Sequence, residues 1–359
     1  MTSFFVRARR AMQALRTPDP AETEVTADDG VTTMVGELGT AMLAAAQATS
    51  DVEHTLKRLA RRYDRPDLRV FVLPTLLLIE DPSTSPARTS MFPADQTALR
   101  LDQSAAVERT LRRAFAEQTP PSTILGEIAA IRASSPRFGF VLTVIGYTLL
   151  TVGFGLVLNP TVTALPVYVV LGLFVGTIVH LGSRVTTLSL ILPVVTAFTV
   201  TVLIAVVVKP LVHDDVLRLV APALVSFLPG LTLTIAAVEL TSGQMMAGAS
   251  RLVYGVARLG LLAFGVFAGI TVTGEPSASS AQGTQLGAWA PWVGIGLVAL
   301  GYYLYSAAPR GSLIWILYAL VVAYAGQLLG NVVLGPELSG LVGALIVIPA
   351  VNLAGRLPA

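Results

Sequence analysis

Along the chain the rhythm of apolar positions changes once, near Arg137. Before that point apolar and polar residues interchange over short distances. Between Val35 and Tyr63, Leu38, Met42, Leu43, Ala46, Leu56 and Leu59 recur at helical spacing, with Glu53, Lys57, Arg61 and Arg62 on other faces, which predicts an amphipathic helix. Leu68–Glu80 is β-branched and apolar, broken at Pro74, and a second extended piece over 88–101 follows a Ser/Pro turn. Two more helices are predicted at about 104–117 and 122–133. The segment 35–135 therefore reads as a small α+β domain. Ahead of it, residues 1–34 read as a flexible segment, because 17–34 are rich in Pro, Asp, Glu and Thr with few large apolar side chains.

After Arg137 the apolar runs become long. A hydrocarbon core of about 30 Å takes about 20 apolar residues per helix. Runs of that kind lie near 138–158, 162–181, 186–208, 217–240, 251–273, 288–306, 311–330 and 334–355. The expected fold is an all-α polytopic membrane protein of about eight transmembrane helices carrying an N-terminal α+β cytosolic domain. A first membrane domain, 136–273, would hold about five helices; a Ser/Gly-rich extracytoplasmic connector, 274–287, would separate it from a second, 288–359, of about three.

Charge sharpens the boundary. Residues 1–137 hold 17 of the 24 Lys and Arg and 17 of the 22 Asp and Glu, which leaves only 12 charges for the remaining 222 residues. A charge in hydrocarbon costs about 2.5–3.5 kcal/mol even on the lenient insertion scale, so one part faces water and the other lipid. Phe4-Phe5-Val6 beside Arg7, Arg9 and Arg10 is too short an apolar core for a signal peptide, which keeps the expected N-terminus in the cytosol. The loop cations agree: Arg184, Arg251, Arg310 and Arg356 fall in the expected cytoplasmic loops, Lys209 and Arg218 outside. No basic run is interleaved with aromatics, which argues against nucleic-acid binding. Cysteine is absent, and His54, His180 and His213 lack metal-ligand spacing, so no metal or cofactor is expected.

Few residues in the apolar part carry chemistry. Phe227-Leu228-Pro229-Gly230-Leu231 should interrupt its span near mid-bilayer, since proline lacks an amide donor and glycine is flexible. The half-helix from Leu231 onward would present unpaired amides there, as transporters do toward a substrate carboxylate; the bland reading is a packing kink. Glu239, near the inner end of that half-helix, is a candidate for an ammonium group or a proton relay, or else an interfacial carboxylate. Arg258 lies about 10 Å into the next span, where it either serves the site or snorkels inward. Arg251 and Arg258 share a helix face, so either is placed to pair with Glu239. His180 and Arg184, one turn apart, read as a headgroup anchor or a relay. Thr232 heads the hydroxyls that would line a polar path, although membrane threonines more often bond the carbonyl one turn back.

Six sequence runs then carry a resemblance. The segment from Gly39 to Glu53 followed by Leu59-Ala-Arg-Arg-Tyr63 and Leu99-Arg-Leu-Asp-Gln103, with Leu228-Pro-Gly230, Glu239-Leu-Thr-Ser-Gly243 and Gly248-Ala-Ser-Arg-Leu252, resembles the threonine/serine exporters of the ThrE type over about residues 30–355. The resemblance implies a multi-pass plasma-membrane exporter of L-threonine and L-serine coupled to protons, not an enzyme. It also implies ten spans in two parts of five, so that the second part here would lack its last spans. By this pattern Pro229, Gly230, Thr232, Glu239 and Arg258 would bind substrate, while His180, Arg184 and Arg251 would relay protons or hold structure. Two other readings stand beside it, an enzyme anchored by its spans and a sensor or regulatory subunit. Self-association is left open by the sequence.

Overall fold

The computed structural model of the chain describes residues 30–83, 85–94, 98–182, 191–208, 215–274 and 284–355. Its N-terminal domain opens with α1 (Gly30–Ala44) and α2 (Thr49–Arg62), where the apolar spacing predicts one helix. The chain reverses at Ala46, whose φ is 61°, and so folds the two apolar faces onto each other. Leu38, Met42, Val52, Leu56 and Leu59 are buried together as a result. Strands β1 (Arg69–Leu73), β2 (Leu76–Asp81) and β3 (Arg88–Pro93) form an antiparallel meander in that order, with Pro74-Thr75 as the β1–β2 turn. Proline there needs no ladder hydrogen bond and fixes the turn. Leu77 and Ile79 of β2 point into the same core. Helices α3 (Leu101–Glu117) and α4 (Pro121–Ala133) close it. Arg65 pairs with Asp81 at the end of β2; burial raises the Asp81 pKa, but bonds from Ser83 and Arg65 outweigh it and hold the carboxyl below its ordinary range.

The apolar part follows as α5 (Phe140–Leu158), α6 (Leu165–Gly182), α7 (Leu192–Leu203, continued by a π turn to Val208), α8 (Val216–Leu224, continued by a 3₁₀ turn to Phe227), α9 (Gly230–Thr241), α10 (Met245–Thr273), α11 (Ala290–Tyr305), α12 (Ser312–Leu334) and α13 (Ser339–Ala354). Four of these, α5, α6, α10 and α12, are long and apolar enough to cross a bilayer, and α8 with α9 makes a fifth if counted as one bent span. By length and composition, four or five candidate spans stand among the described residues, beside three shorter apolar helices. The three shorter apolar helices, Leu192–Val208, Ala290–Tyr305 and Ser339–Ala354, run to at most 17 residues, or about 25 Å at 1.5 Å per residue.

Small residues set the close contacts of this bundle. On the α5–α11 seam, a Cβ at Gly301 would lie 2.4 Å from the Leu150 backbone nitrogen, and one at Gly153 would lie 2.7 Å from the Gly294 carbonyl. Without a hydrophobic drive in lipid, helices associate through such approaches. The α+β domain sits on the ends of the bundle where α9 turns into α10 and α11 into α12. Leu101 donates its N–H to the Ser306 carbonyl at 3.3 Å, and Arg137 donates to the Ala308 carbonyl at 2.9 Å. The last residues of the connector pair with the α5–α6 loop, where the Val162 N–H bonds the Thr284 carbonyl at 3.1 Å.

Candidate functional site

The break that the Pro-Gly pair predicts is present. After Leu224 the helix tightens into the 3₁₀ turn, Leu228 turns to an extended conformation, and α9 restarts at Gly230 at 59° to α8. Pro229 caps α9 without a side-chain bond, and the first backbone bond back to it comes from Leu233 at 3.0 Å. The amides of the first turn therefore have no partner within the helix. A Cβ at Gly230 would meet nothing within 4 Å, so the restart stands in open space among the described residues. Thr234 follows the bland expectation and bonds the Gly230 carbonyl, whereas the Thr232 hydroxyl makes no hydrogen bond among the described residues.

The other end of α9 is closed. Glu239 is fully buried; one carboxylate oxygen accepts the Thr49 N–H at 2.9 Å and the other lies 3.2 Å from Arg251 Nε. The Arg251 contact is an ion pair without hydrogen-bond alignment, since neither Glu239 Oε2 nor Arg251 Nε forms a hydrogen bond. Thr49 is the first residue of α2, whose own N-cap, Ala48, offers no side-chain acceptor. A carboxylate 190 positions later supplies the missing cap, where the helix dipole favours negative charge. Of the two arginines placed to pair with Glu239, the structure selects Arg251.

Arg258 stands apart, half-buried on α10. The His180 ring meets Phe140 edge-on at 4.9 Å, and Arg184 lies outside the described residues. The structure thus brings together Thr232, Glu239 and Arg251 around α9, with Pro229 and Gly230 at its start, and leaves Arg258 and His180 elsewhere. It adds residues the sequence reading missed. Buried Tyr147 of α5 donates to the Ala223 carbonyl at 3.2 Å and hydrogen-bonds Ser226, tying the 3₁₀ turn at the break. A lone tyrosine seven residues into an apolar helix was a signal for this, because a buried hydroxyl needs a partner. Nothing in the sequence pointed to Thr49.

A cavity of about 370 Å³ lies between the two parts of the molecule. Ala44, Pro74 and Thr75 of the α+β domain form one wall, and Thr232, Arg251 and Tyr254 of α9 and α10 the other. It reaches from the buried ion pair to the first turn of the restarted helix. A larger groove of about 680 Å³ runs along the α+β domain beside Lys57, Arg61 and Arg69, but Lys57 pairs with Glu53 and Arg69 with Glu80. The smaller cavity is the one next to the broken span.

Residues 33–273 match the ThrE family model, described as "Putative threonine/serine exporter". The match takes in the α+β domain and the helices through α10, and hence the break, the ion pair and the cavity. No curated protein and no solved structure matches the chain.

Proposed function

This chain belongs to the threonine/serine exporter family, and from that premise we propose that it is a secondary transporter moving L-threonine and L-serine out of the cytosol across the plasma membrane, driven by the proton-motive force. The observation that carries the reading is the span broken at Leu228–Pro229, whose first α9 turn opens through Thr232 onto the cavity under the α+β domain. A zwitterion crossing a bilayer needs polar partners at depth, and a helix restarted within the membrane supplies amide dipoles there without placing a net charge in lipid. The α+β domain is then the cytosolic part. It touches the inner end of α9, where Glu239 pairs with Arg251 of α10, and the α11–α12 turn, which carries Arg310; both are cations expected on the inner face.

Glu239 takes a different part in this reading from that of an ammonium site. It is enclosed by Arg251 and Thr49, so its work is to fix the inner end of α9 to the cytosolic domain. The end at Gly230 is the one placed to move. The test is efflux of labelled threonine from proteoliposomes containing the full chain, with and without an imposed proton gradient. The reading expects efflux above protein-free vesicles, faster with the gradient, and slowed by Gly230→Leu, which crowds a restart where an added Cβ meets nothing within 4 Å. Efflux no faster than from protein-free vesicles would remove it.

A further inference from the structure

Arg251 is the one charged residue among the described residues lining the cavity between the two domains. Its side chain is 15% exposed, and its one recorded contact is the 3.2 Å ion pair through Nε. Among the described residues its guanidinium makes no hydrogen bond, although an arginine presents five N–H donors. Its Nε is buried without a hydrogen bond, and a mostly buried guanidinium with no protein acceptor is an arrangement that an incoming acceptor would complete. The planar fork matches a carboxylate in the bidentate mode, which an ammonium cannot reproduce.

The rest of the lining fits a small polar ligand. Thr232 and Tyr254 bring hydroxyls without hydrogen-bond partners among the described residues, and Thr75 brings a third from the turn between β1 and β2. The volume of about 370 Å³ lies at the small end of ligand pockets. Because Glu239 already balances the Arg251 charge, the site is near neutral before a ligand arrives, which suits a zwitterion better than a multiply charged anion.

We infer that Arg251 is the carboxylate receptor of a substrate site between the domains, and that the β1–β2 turn of the α+β domain forms one wall of it. The inference rests on the exporter reading for the identity of the substrate, a small hydroxy amino acid. It assigns the soluble domain a direct part in binding.

The experiment is equilibrium binding of labelled L-threonine to the full chain in lipid nanodiscs, with L-serine, L-lactate and the amino alcohol of threonine as competitors. Arg251→Lys keeps the charge opposite Glu239 but loses the fork. Thr75→Trp fills the cavity from an exposed turn and leaves the ion pair untouched, so it reports on the site even if Arg251 variants fold poorly. Amide exchange at Thr49 checks that the Glu239 cap survives in each variant. The expected result is threonine binding weakened at least about tenfold by Arg251→Lys, the scale of one lost charge-assisted hydrogen bond. Thr75→Trp should weaken it as much, with serine competing and the amino alcohol not. Unchanged affinity in both variants would overturn the inference and leave the exporter reading standing. Binding of L-lactate alone, lost in both variants, would keep the carboxylate receptor and overturn the choice of substrate. Binding of none of these ligands would overturn both.

Discussion

The two ends of α9 differ in nearly every physical respect. At Glu239 the helix end is buried, ion-paired and bonded to the start of α2, and at Gly230 it opens into space with no side-chain cap. Only about 13 Å separates them at 1.5 Å per residue. The difference teaches how a membrane helix can be held and still serve a site. Packing and charge fix the end beside the α+β domain, and the unpaired amides are kept at the end that opens into space. Along the helix the grip comes from α10, where a Cβ at Gly248 would lie 2.7 Å from Leu240 and 2.9 Å from the Ala236 carbonyl.

If the two ends play these separate parts, substitutions should separate them too. The largest effect belongs to Glu239→Gln, which leaves the Arg251 charge uncompensated in a buried site, a loss of about 3–5 kcal/mol. Thermal unfolding of the purified full chain should show it, and hydrogen exchange should rise over the first turn of α2. Next comes Gly248→Leu, which forces α9 off α10 against backbone and should cost about 1–3 kcal/mol by the same unfolding measurement. Tyr147→Phe removes the hydroxyl that ties the break at Ala223 and Ser226, for about 1 kcal/mol, and should increase exchange over residues 223–228 while leaving α2 protected. The smallest effect on stability is expected for Gly230→Ala. Its added methyl meets nothing, and helix propensity favours it by up to about 1 kcal/mol. A stability loss there as large as that of Glu239→Gln would erase the contrast between the ends.

How far the sequence disclosed this arrangement depends on the residue. The interruption at Pro229-Gly230 was legible because proline and glycine act through the backbone itself, whatever surrounds them. The Glu239–Arg251 pair was legible only as one of two, since spacing gives a helix face and not the tilt that chooses between Arg251 and Arg258. The turn at Ala46 was hidden by a run of alanines that favours helix, and it is tertiary packing of Leu38 and Met42 against Leu56 and Leu59 that overrides it. Thr49 was invisible because its partner lies 190 residues away. The spans were legible in kind but not in length: hydropathy locates apolar runs and not helix ends, and among the described residues four or five elements are long enough to cross, beside three shorter apolar helices.

The account turns on a polar route that begins under the α+β domain and reaches the broken helix at Thr232. The chain contains no cysteine, so Thr232→Cys would carry the one thiol in the molecule. Labelling of that thiol by a membrane-impermeant thiosulfonate, applied from the side bearing the α+β domain, measures the route directly. The account predicts reaction from that side, slowed by L-threonine and unaffected by the amino alcohol of threonine. A thiol that reacts only from the opposite side, or at a rate threonine does not change, would contradict it.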